Sequence, residues 1–172
     1  MKKLLFVLAA SLLVTGSALA FDTTCLQLSL WAPKVQVVPD TIDVSGLKLN
    51  LPYGGNNNVT GLDLGFFSIN GNTNAILQVN LFNRTDEDFI GCQVGLINLS
   101  GNSSGVNVGL LNSAESMSSG LTVGLVNTAL EHRGVQIGLV NYTEFLTGFQ
   151  IGIANIVTKS TVPFFPIINF CF

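Results

Sequence analysis

From residue 46 to residue 155 the chain repeats one eight-residue phrase, written "GLTVGLVN", "GVQIGLVN" and "GFQIGIAN" in three successive copies. The starts fall at Gly46, Gly61, Ile76, Gly91, Gly105, Gly120, Gly134 and Gly148, so eight copies follow one another at spacings of 14 or 15 residues. A unit this short cannot enclose a core alone. It is stable only when its neighbours stack on it, so the period dictates an array.

Within each copy the phase is strict. Positions two, four and six are apolar throughout, as in Val135, Ile137 and Leu139, or Cys92, Val94 and Leu96. Position three is always polar: Lys48, Asp63, Gln78, Gln93, Asn107, Thr122, Gln136 and Gln150. Alternation with period two is the mark of a half-buried strand and not of a helix. The expectation is therefore that the apolar positions form the core and that position three faces water. On that reading Ile137→Asp disrupts folding and Gln136→Asp is tolerated.

Position eight is asparagine in six consecutive copies: Asn83, Asn98, Asn112, Asn127, Asn141 and Asn155. Side-chain amides stacked at one corner can form a hydrogen-bonded ladder, and asparagine tolerates the backbone of a turn. The glycines at positions one and five share the face of position three. They mark a close approach of another backbone. Either they relieve crowding inside a tight coil, or the stripe from Gly95 to Gly152 packs on another sheet, from this chain, a second copy or an envelope surface.

Two folds use such strands. In a parallel β-solenoid each 14–15-residue repeat is one coil and like residues stack on like. In an antiparallel β-meander or small β-barrel, successive copies reverse direction. Mixed spacings of 14 and 15 would flip the apolar set across a hairpin, whereas a coil absorbs an extra residue in a turn. The period is also one strand and not two. The all-β parallel solenoid is the expected fold. The barrel stays open as the alternative because the chain ends "INFCF", like the last strand of a bacterial outer-membrane barrel.

The ends of the chain differ from its middle. Lys2 and Lys3 precede an apolar stretch from Leu4 to Val14, and Ala18-Leu19-Ala20 follows. This reads as a secretory signal peptide over residues 1–20, too short in its apolar part to span a bilayer. Residues 21–45 read as an N-terminal cap, with "CLQLSLWA" echoing the repeat and "PKVQVVPDTIDVS" as a strand pair. Residues 46–161 are the array. Residues 162–172 form a C-terminal capping strand, a ninth copy whose prolines suit a sheet edge.

Charge narrows the functions. The chain carries 7 basic and 10 acidic residues, and loss of the two signal-peptide lysines takes the net charge from −3 to −5. Nucleic acid is disfavoured as a partner, since phosphate binding needs a basic patch. No catalytic, cofactor-binding or metal site is expected. His132, the one histidine, reads as a solvated turn residue. Asp86, Glu87 and Asp88 read as a solvated acidic turn without the pattern of a calcium loop. Cys92 reads as a small buried hydrophobe, slow to react. Cys25 and Cys171 lie at opposite ends of a solenoid and should not be bonded to each other, whereas a closed barrel would bring them together.

The run "GLTVGLVN…GVQIGLVN…GFQIGIAN…PFFPIINF", with "LQLSLWAP" and "GLKLNLPYGGNNNVTGLDLG", resembles the secreted surface-repeat proteins of spirochaetes and other bacteria. Asn50 and Asn80 depart from it, standing where glycine is usual. The resemblance implies an exported product, periplasmic, outer-membrane-associated or at the cell surface, with no established activity. The expected function is thus a non-enzymatic envelope or surface protein acting as a scaffold or binding face. A small outer-membrane barrel is the alternative.

Overall fold

The computed structural model describes residues 22–172, with side chains for all but 74–76. The segment read as a signal peptide lies outside the described residues. Ten strands form one continuous sheet: β1 (Thr23–Trp31), β2 (Val35–Gln36), β3 (Asp43–Val79), β4 (Phe82–Val94), β5 (Ile97–Val108), β6 (Leu111–Ala114), β7 (Met117–Val123), β8 (Val126–Ile137), β9 (Val140–Val157) and β10 (Phe164–Cys171). The very long strands, β3 above all, run through the corners of the coil.

Pairing through the array is parallel, with like on like. Gly91, Gly105, Gly120, Gly134 and Gly148 stack in one line, as do Asn83, Asn98, Asn112, Asn127 and Asn141. The first and last strands do not meet, so the fold is a β-solenoid and not a barrel. Where the spacing drops from 15 to 14, the register between β4 and β5 shifts between Thr85 and Asp88. The extra residue sits in the acidic turn, where a coil can bulge without moving the inward set.

Both ends depart from a simple reading of the repeat. "CLQLSLWA" is a true layer, with Leu26, Gln27 and Leu28 parallel to Leu47, Lys48 and Leu49. Of the segment after it, only Val35–Gln36 pairs back antiparallel on β1. There the Gln27 amide donates to Val38 O at 3.0 Å and accepts from Val38 N at 3.1 Å. That exchange closes the interior at the N-terminal end. At the other end residues 164–171 are not a ninth parallel coil. They run antiparallel to β9 with an irregularity between Phe165 and Ile167. Pro166 cannot donate to a ladder, which places this strand at the sheet edge.

The packing reverses the expected phase. Every position-three residue is buried: Gln136 is 1% exposed, whereas its neighbour Ile137 is 38% exposed. Position eight is equally buried from Ser68 to Asn155, while positions two, four, six and seven point outward. Alternation shows that the two faces of a strand differ. It does not show which face is inside. A narrow coil selects for side chains that can stack on copies of themselves about 4.8 Å above and below. Carboxamides do this well, because each carries a donor and an acceptor. Apart from Ala32 in the first layer, the buried apolar side chains among the described residues lie on the far side of the coil: Val44, Val59, Phe89, Ala114, Ala129, Leu146 and Val157.

The glycines follow from the same crowding. A Cβ on Gly148, which has φ +134°, would lie 2.0 Å from Gly134 O, and one on Gly138 would lie 2.6 Å from both Gly124 O and the Asn127 amide. Glycine is the residue that accepts such a backbone and such proximity. The glycine stripe therefore lines the tight interior beside the asparagines. It is not a face for docking another sheet or a second copy.

Candidate functional site

The six asparagines make an unbroken chain of hydrogen bonds. Each Nδ2 donates to the Oδ1 of the next coil: Asn83 to Asn98 at 2.8 Å, Asn98 to Asn112 at 2.7 Å, Asn112 to Asn127 at 2.9 Å, Asn127 to Asn141 at 2.8 Å, and Asn141 to Asn155 at 2.8 Å. Asn98, Asn112, Asn127 and Asn141 also donate to the carbonyls of Val108, Val123, Ile137 and Ile151 in the coil that follows. Asn155 has no coil beyond it, and its amide turns onto Gly152 O at 3.1 Å. These groups hold strands together. They are saturated by one another and offer nothing to a ligand.

Glutamines repeat the device at position three, with Gln93 donating to Gln78 at 2.9 Å and Gln150 to Gln136 at 2.8 Å. In between, Asn107 and Thr122 interrupt this glutamine column. They turn to Ser103 and Ser118, four residues earlier in the chain, at 2.6 and 3.3 Å.

Nearer the N-terminus the position-three column carries a buried ion pair that the residue-by-residue reading missed. Lys48 Nζ lies 3.8 Å from Asp63 Oδ2, and both side chains are wholly shielded from solvent. Asp63 Oδ1 accepts from Asn50 at 2.6 Å and Asn80 at 3.3 Å. Its Oδ2 accepts from Ser68 at 2.6 Å, Asn70 at 3.0 Å and Gln78 at 3.0 Å. Lys48 also donates to Ser68 at 3.2 Å and to Asn70. Desolvation pulls the lysine below its usual range, and the Asp63 charge opposes that pull. The two asparagines that break the glycine pattern, Asn50 and Asn80, are there to solvate the carboxylate. The signal was present in the sequence: a lysine and an aspartate at the same position of adjacent copies stack when the array is parallel.

Three single-residue expectations change. His132 is fully buried, in register between Ser118 and Leu146, and no side chain hydrogen-bonds to either ring nitrogen. Burial pushes it down to about 4. The residue belongs to the inward column of its coil and not to a solvated turn. Cys92 is half-exposed, because position two faces outward. Cys25 and Cys171 are free thiols, one on the first strand and one on the last. Asp86, Glu87 and Asp88 are exposed, with Asp86 paired to Arg84 at 2.6 Å. Among the described residues no cluster of three or more His, Cys, Asp or Glu is placed to hold a metal ion.

The feature that remains is the outer wall. Position six is the crest, with Leu51, Phe66, Leu81, Leu96, Leu110, Leu125, Leu139 and Ile153 all between 45% and 70% exposed. It lies at a corner. β4 ends at Val94 and β5 starts at Ile97, and the same break follows Val108, Val123 and Ile137. Positions two and four flank the crest on one side and position seven on the other, so positions two, four, six and seven form an apolar belt around that corner. Charge is kept off it. Between Gly46 and Lys159 every charged side chain except the buried pair falls at positions nine to fourteen: Arg84, Asp86, Glu87, Asp88, Glu115, Glu131, Arg133, Glu144 and Lys159. The solenoid is asymmetric around its circumference: one half is apolar and free of charge, while the polar half carries the exposed charges along with the exposed side chains of Ile90, Leu130, Tyr142 and Phe145. Stacked at about 4.8 Å per layer, the belt is roughly 35 Å long. Soluble monomers rarely expose apolar patches beyond a few hundred Å2, and larger ones mark sites of interaction.

No family model matches this chain, and no curated protein and no solved structure matches it either.

Proposed function

We propose that this chain is an exported, non-enzymatic solenoid of the bacterial cell envelope, and that it works by presenting its apolar wall as a docking face. One observation carries the reading. The sheet has its polar ladders inside and a continuous aliphatic surface outside, an apolar face of the size that marks a site of interaction. Export and an envelope location are supported by the signal-peptide pattern of residues 1–20 and by the resemblance to surface-repeat proteins. A scaffold role is supported by the chemistry of the interior, where the polar groups are turned to one another.

The test is fractionation of a Gram-negative host expressing the full chain. The expected product is cleaved after Ala20, stays with the envelope during osmotic shock and is released by mild detergent. A Leu110→Glu/Leu125→Glu variant should shift into the shock fluid. Wild-type protein recovered there as a free monomer would refute the docking wall.

A further inference from the structure

The geometry points to a lipid surface as the occupant of the wall: the solenoid lies in the face of a bilayer, apolar half immersed and polar half in water. This rests on the docking reading above and names the partner. Three features separate lipid from protein.

The first is shape. The crest formed by Leu81, Leu96, Leu110, Leu125 and Leu139 stands at a corner, with apolar side chains falling away on both sides. A second copy presents the same convex ridge, and two ridges cannot bury each other's flanks. Acyl chains are fluid and fill both.

The second is composition. The crest is leucine in six of its eight places, a residue under-represented among the hot spots of protein interfaces, and of the types such interfaces favour it carries one, Phe66. The third is polar satisfaction. Coil-to-coil hydrogen bonds run along the axis, so the wall shows lipid no open backbone, which hydrocarbon demands of any structure it surrounds. Among the described residues the sheet ends at β2 on one side and β10 on the other, at the two ends of the array.

Charge fixes the orientation. Arg84, Asp86, Glu87 and Asp88 lie on the third of the eight copies, Glu115 on the fifth and Glu131 and Arg133 on the sixth, so an upright, spanning solenoid would carry charge through the bilayer interior at high cost. Lying flat, it leaves them in water. The net charge of −5 after signal removal favours an uncharged or zwitterionic surface over an anionic one, since charge near anionic lipid acts through Lys and Arg.

The experiment is flotation of purified protein with phosphatidylcholine vesicles. Wild type should float with the vesicles, and raising the salt tenfold should not release it. Leu96→Glu/Leu110→Glu/Leu125→Glu should cut partitioning by about a hundredfold or more, since three leucines leave the acyl phase. Ser113→Glu/Thr128→Glu, on the polar half, should float as wild type does. Leu110→Trp in a Trp31→Phe background gives a second readout: its emission should shift to the blue and be quenched by brominated acyl chains. Wild type that neither floats nor, as the tryptophan variant, shifts its emission overturns the lipid assignment. If such protein is still held in the envelope, the docking reading stands with a protein partner or a second copy. If it is free in the shock fluid as well, both readings fail.

Discussion

Lys48 and Asp63 stand one coil apart in a single column, 3.8 Å from nitrogen to oxygen, with no solvent at either group. The carboxylate is held by five further donors and the ammonium by two acceptors beside it. Removing one partner should therefore cost more than replacing both. Lys48→Met should destabilise the protein by about 3–5 kcal/mol, as breaking a buried pair does. Lys48→Met/Asp63→Asn should recover part of the loss. Urea midpoints of the three proteins, read in the same mild detergent, check the order.

The adjacent pair Gln136 and Ile137 tests which face is inside. Gln136→Asp puts a shortened carboxylate against the Gln150 amide in the interior, and should cost about 2 kcal/mol or more. Ile137→Asp changes an outward side chain and should move stability by about 0.5 kcal/mol or less. Thermal melts in detergent giving the opposite order would restore the conventional phase.

The asparagine ladder should weaken most when cut in the middle. Asn127→Ala removes the acceptor for Asn112 and a donor to both Asn141 and Ile137 O. At about 1 kcal/mol for each bond lost, and more for a stranded group, about 3 kcal/mol is expected. Asn155→Ala loses only the bond from Asn141 and its own bond to Gly152 O, so it should cost about 2 kcal/mol. Amide exchange should quicken in coils on both sides of residue 127 in the first variant, and only next to β10 in the second.

His132 makes the fold acid-sensitive. Its folded-state value is pushed down to about 4 from an ordinary 6.5, so the folded protein resists a proton that the unfolded chain accepts. The stability this provides is complete above pH 6.5. It falls as the pH drops from 6.5 towards 4, by about 3 kcal/mol in all. A His132→Leu variant, matching Leu146 in the next coil, should lose that slope. Equal slopes between pH 7 and pH 4 in the two proteins would contradict a buried neutral imidazole.

The cysteines report topology and the wall at once. Non-reduced peptide mapping of the monomer should show no Cys25–Cys171 link, because the two residues lie on the first and last strands of the solenoid. Cys92, half-exposed on the wall, should react with a maleimide in detergent-free buffer within minutes. Phosphatidylcholine vesicles should slow that reaction. A Cys92 as inert as a core thiol in buffer would refute the outward placement of position two.

The sequence by itself determined the coil. A strict repeat of 14–15 residues, period-two alternation and mixed spacing left the parallel solenoid ahead of the barrel, and asparagine in six consecutive copies marked the column that forms the ladder. Tertiary structure decided what the alternation meant. Val135, Gln136 and Ile137 give the same pattern whichever face is inside, since a strand has two faces and its sequence does not label them. Closure of the coil supplies the label, because in its narrow interior each side chain is matched to the ones stacked above and below it, as amide on amide or as Lys48 on Asp63. That closure buried Lys48, Asp63 and His132, which look solvent-ready when read singly, and turned the leucines of position six outward. It also folded residues 164–171 back against β9, because a strand carrying Pro166 pairs best at an edge where its other side need not be matched.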